Sequence, residues 1–225
     1  TSLVRLFTFP FDPYSRYSNK CLWILANLML RINPFWSIKM EGIDKYKGDK
    51  PTVFVGNHQS FLDLPLAYLL PWKMKWVAKE ELFKIPILGW LVSLTGHLSV
   101  DRSKNTAIKK LRNLVKPLKD NVPVMIFPEG TRSKGGQLIR FKSGAFLLAK
   151  RHGFQLQPMV LNGGHRALPR NSWKLRLKQQ FHLSVLDPID PDNFESIDEL
   201  KNYTFDIIQK ELERIQTLDR TKSED

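Results

Sequence analysis

The chain has 225 residues, 25% of them charged, and a formal net charge of +13 at pH 7. This length accommodates one α/β core, and the lack of an internal repeat, a low-complexity tract or a long Gly/Ser linker excludes a repeat array and argues against a second domain. The excess of Lys and Arg favours a polyanionic partner, which is either a nucleic acid or an anionic lipid surface.

The first predicted element lies in an N-terminal segment, residues 1–38. Residues 21–30 form an apolar run that is interrupted only by Asn27 and flanked by Lys20 and Arg31. These ten residues are about half of the ~20 that a helix needs to span a bilayer. The segment is therefore predicted to form a helix that lies on a membrane or packs against the domain formed by residues 39–225.

A short polar segment follows the next predicted strand. Residues 52–55 are apolar and β-branched enough to form a buried strand, Gly56 ends it, and residues 62–70 predict a helix that faces the core. His58 therefore lies in the turn, with Asp63 near the start of the helix. Side chains five positions apart on an unbroken helix point about 140° apart, so the change of direction between strand and helix allows this pair to meet.

An imidazole beside a carboxylate is a candidate catalytic pair. The carboxylate accepts the proton on one ring nitrogen, which fixes the tautomer and stabilises the imidazolium formed when the other nitrogen removes a proton. A histidine with its unperturbed pKa of about 6.5 is mostly neutral at neutral pH and ready to act as a base. His58 is thus the candidate general base and Asp63 its orienting partner, although the same spacing also suits a histidine that only caps a turn.

Tryptophan and lysine alternate just beyond the predicted helix, at Trp72, Lys73, Lys75 and Trp76. This composition is typical of a membrane interface, and it also suits a half-buried loop with ordinary surface lysines. If these residues form a membrane interface, the polyanionic partner is an anionic lipid surface and not a nucleic acid. We predict that the partner is a membrane surface with anionic lipids and that no nucleic acid is bound.

A second polar segment follows a strand predicted at residues 122–127. Glu129, Gly130, Thr131 and Arg132 bring a carboxylate, a permissive glycine, a hydroxyl and a guanidinium into one loop. Arginine suits a phosphate because its planar fork donates two parallel hydrogen bonds and cannot be deprotonated. Arg132 is therefore a candidate phosphate ligand, with a surface ion pair to Glu129 as the alternative.

The rest of the sequence alternates between helical and strand patterns. The predicted elements are a helix at residues 105–118 that leads to the strand at 122–127, a helix at 143–152 closed by Gly153, a strand at 155–161, β structure near a sheet edge at 173–186, and a long helix opened by a capping box at Ser196 and Glu199. Because strands and helices alternate, the predicted fold class is α/β, a single domain with a mostly parallel central sheet flanked by helices and preceded by the N-terminal helical segment.

The two polar segments, in this order and spacing, resemble the motifs of the glycerolipid acyltransferase superfamily. Asn57, His58 and Asp63 match its first motif, Asn-His-x4-Asp. Residues 127–133, Phe-Pro-Glu-Gly-Thr-Arg-Ser, match its third motif without a departure.

Two looser motifs of the superfamily also occur in order. Residues 96–102 resemble the second, and residues 157–160 resemble the fourth, with Gln157 where the family more often has Val or Ile. The resemblance covers residues 39–187 and is strongest to the lysophosphatidic acid acyltransferases, which are 1-acyl-glycerol-3-phosphate acyltransferases.

This resemblance implies acyl transfer from a thioester to the free hydroxyl of lysophosphatidic acid, which gives phosphatidic acid. His58 would remove the hydroxyl proton as the oxygen attacks the thioester carbonyl, without an acyl-enzyme. The sequence agrees, since it has no Gly-x-Ser-x-Gly motif and its only thiol, Cys21, is remote from both polar segments. The implied co-substrate is acyl-CoA or acyl carrier protein with its acyl chain, and no cofactor is expected.

The resemblance also implies roles for the residues around the pair. The residues that would hold the acceptor's phosphate are Arg132, Lys79 and Arg102. The residues that would position the acceptor are Glu129, Gly130 and Thr131. Backbone N–H groups around Gly130 are candidate donors to the oxyanion of the transition state.

Other classes of function stay open. A related acyltransferase acting on glycerol-3-phosphate or another lysophospholipid would use the same pair. A non-enzymatic basic module on a membrane or a nucleic acid would need the positive charge but neither His58 nor Asp63. No metal is expected at these residues and His97, because no Cys or paired-His ligand spacing supports a site. For an enzyme of phospholipid biosynthesis, we predict membrane association with the catalytic domain on the cytoplasmic side.

Overall fold

A seven-stranded sheet forms the centre of the protein in a computed structural model that describes residues 12, 15–79, 89, 93–100, 111–169, 172 and 174–224. The strands are β1 (Trp36–Glu41), β2 (Thr52–Gly56), β3 (Lys75–Lys79), β4 (Leu98–Val100), β5 (Val124–Ile126), β6 (Gln155–Asn162) and β7 (Gln179–Val185). Their order across the sheet is β1-β7-β6-β2-β5-β3-β4. Neighbouring strands are parallel except for β6 and β7, which confirms the predicted α/β class with a mostly parallel sheet.

Helices flank this sheet. Those with both ends in the described residues are α1 (Arg16–Arg31), α2 (Asp63–Ala67), α3 (Val115–Lys119), α4 (Gly144–His152), α5 (Gly164–Ala167) and α6 (Ile197–Glu224). Short 3-10 turns lie at Ile43–Lys45, Arg112–Leu114 and Pro191–Asn193. Within the described ranges, no helix combines the length and the apolar character needed to cross a bilayer.

The central strand β2 shows how the sequence forms the two faces of the sheet. All five of its residues are buried, and successive side chains of a strand point to opposite faces. Val53 and Val55 therefore pack with α4 and α6 in one half of the core, whereas Phe54 packs with α2 and with Leu30 of α1 in the other. The sequence of a parallel strand that is covered on both faces is a nearly continuous apolar run, as it is in β2.

Two predicted helices are shorter than expected. The helix predicted at residues 62–70 is α2, which has only five residues. Beyond it, the N–H groups of Leu69 and Leu70 donate to carbonyls three residues back instead of four, and Pro71 then disfavours helical backbone at Leu70. Of the helix predicted at residues 105–118, residues 105–110 lie outside the described part of the chain, and the rest is a 3-10 turn followed by α3.

Two helix ends confirm their sequence signals. Gly153 ends α4 with a φ of 64°, in the left-handed region that glycine adopts without strain. At the start of α6, Ser196 Oγ accepts the N–H of Glu199 at 3.1 Å. The Glu199 carboxylate accepts the N–H of Glu195 at 2.8 Å, rather than that of Ser196 as in a regular capping box.

The β structure predicted at residues 173–186 begins only at Gln179. Residues 174–178 form an exposed loop before it. The strand itself, β7, lies between β1 and β6, one position in from the edge of the sheet.

The apolar run near the N-terminus lies in α1, as predicted. Ala26 and Leu30 are buried, whereas Trp23, Ile24 and Leu28 are between 41% and 60% exposed. The helix thus packs along one side and presents apolar side chains along the other. It leads into β1, the edge strand, in which the predicted boundary between residues 38 and 39 falls.

Candidate active site

Three adjacent parallel strands, β6, β2 and β5, end at the same edge of the sheet. Residues 57–62 follow β2, residues 127–133 follow β5, and residues 163–168 follow β6. The edge at which parallel strands end is where α/β folds bind ligands. Both predicted polar segments therefore lie at this edge, in neighbouring positions.

Asn57 fixes the start of the loop after β2. Its side-chain Nδ2 donates to the Leu161 carbonyl at 2.8 Å, and its Oδ1 accepts the Leu161 N–H at 2.8 Å. The side-chain amide thus continues the ladder between β2 and β6 as a backbone peptide would. Gly56 allows this close approach, because a Cβ there would lie 2.9 Å from the Met159 carbonyl oxygen.

His58 and Asp63 are in contact. His58 Nδ1 lies 2.8 Å from Asp63 Oδ2, and the same oxygen accepts the backbone N–H groups of Gln59 at 2.6 Å and Ser60 at 2.8 Å. Since this oxygen already acts as an acceptor, the proton it shares with the imidazole lies on Nδ1. The other ring nitrogen, Nε2, is then the basic one.

The ring of His58 is held in a defined plane. It stacks on Phe127 with ring centroids 4.2 Å apart and an interplanar angle of 11°. The His58 side chain is 14% exposed, whereas that of Asp63 is 1% exposed. The carboxylate is thus enclosed, while part of the imidazole is open to a ligand.

The two polar segments are joined through the backbone of His58. Glu129 Oε1 accepts the His58 N–H at 2.7 Å, and the Ser133 N–H donates to the His58 carbonyl at 2.8 Å. The segment after β5 therefore binds both the backbone N–H and the backbone carbonyl of His58.

Glu129 is a buried carboxyl group with an altered proton affinity. Burial raises its pKa to about 8, and the charge of nearby Asp63 also raises it. The backbone N–H groups of His58 and Ile139 act in the opposite direction, since they stabilise the carboxylate. Glu129 faces the backbone of His58, and its role in positioning an acceptor stays a prediction.

Arg132 lies against the loop that carries His58. Its guanidinium carbon is 4.0 Å from the centre of the Phe61 ring, and Phe61 is three residues beyond His58. A guanidinium stacked on an aromatic face keeps its N–H donors in its own plane, where a phosphate can approach them. The structure thus brings the cation and the imidazole onto two loops in direct contact.

A further cation, the ammonium group of Lys142, lies beside Gly130 in this region. Gly130 has a φ of 72°, and a Cβ there would lie 3.0 Å from Lys142 Nζ. Its own N–H donates to the Phe127 carbonyl at 3.1 Å. That backbone N–H groups around Gly130 bind the oxyanion stays a prediction. Thr131, beside Gly130, is exposed. Sequence reasoning missed Lys142, because its local pattern does not distinguish it from the other lysines.

Two predicted phosphate ligands are described only in part. Lys79 is the last residue of β3, which is parallel to β5, so its backbone lies toward the edge at which the site residues gather. The side chain of Lys79 and the whole of Arg102 lie outside the described residues. Their roles stay predictions.

Residues that follow β6 complete the surroundings of the pair, and sequence reasoning missed them. Gln59 Oε1 lies 2.9 Å from His165 Nδ1. Gly164 leaves room for the carboxylate, because a Cβ there would lie 2.8 Å from Asp63 Oδ1. The order of the strands is the signal that could have found these residues, since β6 is a parallel neighbour of β2.

His97 is part of a buried network rather than of this site. Its Nδ1 accepts the Trp76 N–H at 3.2 Å, and its Nε2 contacts the Tyr68 hydroxyl. Burial, together with the charge of Lys75, lowers the pKa of His97 to about 3, so the imidazole is neutral. Among the described residues, no group of three or more His, Cys, Asp or Glu side chains is arranged to hold a metal ion.

The same network corrects one prediction about the membrane interface. Trp76 is 2% exposed and Lys75 is 4% exposed, and Lys75 Nζ donates to the Thr95 carbonyl at 2.6 Å. These two side chains are therefore interior and do not form a docking face. Trp72 is half-buried, and Lys73 is exposed.

Comparison with known proteins identifies related sequences. The model of the Acyltransferase family matches residues 37–162, which contain both polar segments. A chloroplastic 1-acyl-sn-glycerol-3-phosphate acyltransferase from Arabidopsis thaliana is 38% identical over 170 residues, which are 74% of this chain and 47% of that protein. A 1-acyl-sn-glycerol-3-phosphate acyltransferase from Haemophilus influenzae is 29% identical over 84% of this chain and 80% of its own length. The chain spans about half the length of the Arabidopsis thaliana relative and of similar relatives from Brassica napus and Chlamydomonas reinhardtii, at 47% to 48%.

A solved structure has the same fold. The crystal structure of PlsC from Thermotoga maritima, a 1-acyl-sn-glycerophosphate (LPA) acyltransferase, matches with a TM-score of 0.82 and 26% sequence identity. The match covers 96% of this chain and 88% of that protein.

Proposed function

Since the chain belongs to the Acyltransferase family, we propose that it transfers an acyl chain from a thioester to the free hydroxyl of lysophosphatidic acid and releases phosphatidic acid. The names of its relatives support this acceptor. The observation that carries the proposal is the contact between the two loops, in which Glu129 and Ser133 hold the backbone of His58 while Asp63 holds its ring.

In the proposed reaction, His58 Nε2 accepts the proton of the acceptor's hydroxyl as the oxygen attacks the thioester carbonyl. The imidazolium that forms is stabilised by Asp63 through the 2.8 Å contact at Nδ1. The tetrahedral intermediate then collapses, the carbon–sulfur bond breaks, and the thiolate takes the proton from Nε2. Atoms and charge balance without an acyl-enzyme.

The acceptor's phosphate would bind to the cations beside this pair. Arg132, which stacks on Phe61, lies on the segment that contacts His58, and the side chain of Lys142 lies beside Gly130 of the same segment. Lys79 and Arg102 are further candidates, predicted from sequence motifs. Binding the phosphate through fixed cations would orient the neighbouring glycerol hydroxyl toward the imidazole.

The acceptor is a membrane lipid, so the enzyme would work at a lipid surface. The exposed apolar side of α1, which includes Trp23, Ile24 and Leu28, supports membrane association. We propose that the domain docks on a membrane with anionic lipids, and the cytoplasmic side stays a prediction.

An acyl-transfer assay with radiolabelled lysophosphatidic acid tests the proposal directly. Parallel reactions with acyl-CoA and with acylated acyl carrier protein identify the donor, and glycerol-3-phosphate or another lysophospholipid as acceptor tests the related activities. His58→Ala should lower turnover by about 10²–10⁴-fold while the fold is kept. Labelled phosphatidic acid formed by His58→Ala within a few-fold of the wild-type rate would reject His58 as the base.

A further inference from the structure

The loop formed by residues 174–178 exposes large apolar side chains. Leu175 is 58% exposed and Leu177 is 68% exposed. They alternate with Lys174, Arg176 and Lys178, which are all exposed. Exposed leucine flanked by basic residues is costly in water and suits the boundary between lipid headgroups and acyl chains.

Three hydrogen bonds to other parts of the chain fix the backbone of this loop. Trp36 Nε1 donates to the Arg176 carbonyl at 3.0 Å, and Asn33 Nδ2 donates to the Leu177 carbonyl at 2.9 Å. The Arg176 N–H donates to the Ala167 carbonyl at 2.9 Å. The leucines are therefore exposed because fixed backbone presents them, not because the loop lacks contacts.

The same hydrogen bonds join the loop to the end of α1. Asn33 and Trp36 lie just after this helix, and the neighbouring side chains Ile32 and Phe35 are 75% and 56% exposed. We call the combined surface the apolar face. Its exposed apolar members are Trp23, Ile24, Leu25, Leu28, Met29, Ile32, Phe35, Leu175 and Leu177.

The charge around the apolar face favours an anionic partner. Residues 16–31 and 172–180 contain no Asp or Glu. Among the side chains that the structure describes in these ranges, the exposed basic ones are Lys20, Arg31, Lys174, Arg176 and Lys178. A second copy of the chain would bring these like charges together, and a nucleic acid would use the charges but not the leucines. An anionic lipid surface uses both.

We propose that the loop at residues 174–178 is a second membrane contact, which docks on anionic lipid together with α1. The inference rests on the proposed function, in that the acceptor is a membrane lipid. The loop is also linked to the candidate active site. Ala167 accepts the Arg176 N–H, and the next residue, Leu168, accepts the Ser60 hydroxyl at 3.1 Å. Docking through this loop would thus set the position of the His58 loop relative to the lipid surface.

Vesicle sedimentation of the full chain tests this contact. The double variant Leu175→Ser/Leu177→Ser should bind vesicles of phosphatidylcholine and phosphatidylglycerol about tenfold more weakly than the wild type. Tyr203→Ser is the control, since Tyr203 is 48% exposed on α6 and contacts Phe194, which packs on the half of the core on the opposite side of the sheet from α1. Thermal unfolding checks that the variants are folded. Unchanged binding by the folded double variant overturns the inference.

A charge reversal tests the anionic partner. Arg176→Glu should weaken binding to the mixed vesicles and have little effect on pure phosphatidylcholine, and Arg151→Glu, an exposed site on α4, should change neither. An equal loss on both kinds of vesicle overturns the anionic-lipid assignment. Size-exclusion chromatography tests whether a second copy of the chain binds this surface instead. If the wild type is a dimer and the double variant is a monomer, the proposed membrane contact is overturned in favour of a dimer interface.

Activity in detergent micelles distinguishes a failure of the proposed membrane contact from a failure of the proposed function. In detergent micelles the acceptor reaches the site without vesicle docking, so the double variant should transfer acyl chains at the wild-type rate there and more slowly on mixed vesicles. A wild-type chain that forms no phosphatidic acid in micelles would reject the proposed function, whereas sedimentation would still decide the docking role of the loop.

Discussion

Asp63 binds both the ring of His58 and the loop that carries it, and it does so through a single oxygen. Oδ2 lies 2.8 Å from His58 Nδ1 and accepts two backbone N–H groups of the same loop. The position of the imidazole and the conformation of the loop therefore depend on one buried carboxylate.

Asp63→Asn should separate charge from geometry. The amide oxygen can still accept the loop N–H groups and the Nδ1 proton, but it carries no negative charge to stabilise an imidazolium. We expect turnover to fall by about 10²–10⁴-fold with little change in the thermal unfolding midpoint. Steady-state kinetics measure the first quantity and a thermal scan the second. Turnover within a few-fold of wild type would show that the carboxylate only shapes the loop.

Gly164→Ala should perturb the same carboxylate from the other side. A Cβ at this position would lie 2.8 Å from Asp63 Oδ1 and 2.9 Å from Ser60 Cβ, so the carboxylate or the loop must shift. Since misplacement of a catalytic group by about 1 Å can cost about 10²-fold, we expect turnover to fall at least about tenfold.

Gly135→Ala is the control for this substitution. A Cβ at Gly135 meets no atom within 4 Å, although its φ of 65° makes the change cost about 1 kcal/mol of stability. This variant should therefore be less stable and fully active. Normal turnover in Gly164→Ala would mean that the carboxylate tolerates displacement.

The local part of the site could be predicted from the sequence. His58, Asp63 and Arg132 each lie within a few residues of a strand end, and a strand followed by a polar turn is a short-range pattern. Gly164 and His165 could not be found in this way, because Gly164 reaches Asp63 and His165 reaches Gln59 only through the pairing of β6 with β2, about a hundred positions away. Such contacts depend on strand order, which local pattern does not determine.

Burial was harder to predict than the type of element. The alternation at Lys75 and Trp76 suits an exposed interface, yet both side chains are buried, because Trp76 packs in the core with Phe54 and Met125 and Lys75 Nζ donates to the Thr95 carbonyl. Leu175 and Leu177 alternate with basic residues with a period of two, which predicts β structure, yet they lie in an exposed loop. Both segments have the alternating sequence pattern, but tertiary contacts determine which of their side chains are exposed.

Glu129 should make the stability of the fold depend on pH. Its pKa is about 8 in the folded protein and 4.5 ordinarily, so the folded state binds more protons than the unfolded state between these values. The free energy of unfolding should therefore fall as the pH rises through this range. In Glu129→Gln this contribution is absent, and its unfolding midpoint should vary less with pH. Thermal scans on either side of the range measure the difference, and parallel curves for the two proteins would contradict it.

Arg132→Ala and Lys142→Ala should impair the use of phosphate-bearing acceptors. A charge-assisted hydrogen bond contributes about 1.5–3 kcal/mol, so losing Arg132 should lower kcat/KM for lysophosphatidic acid about 10- to 100-fold, and losing Lys142 should have a smaller effect, since it is more exposed. Lys134→Ala, at an exposed lysine directly after the second polar segment, is the matched control and should change little. The decisive comparison is with an acceptor that lacks the phosphate. If Arg132→Ala slows both acceptors equally, the stacking on Phe61 supports the His58 loop and the guanidinium does not bind the phosphate.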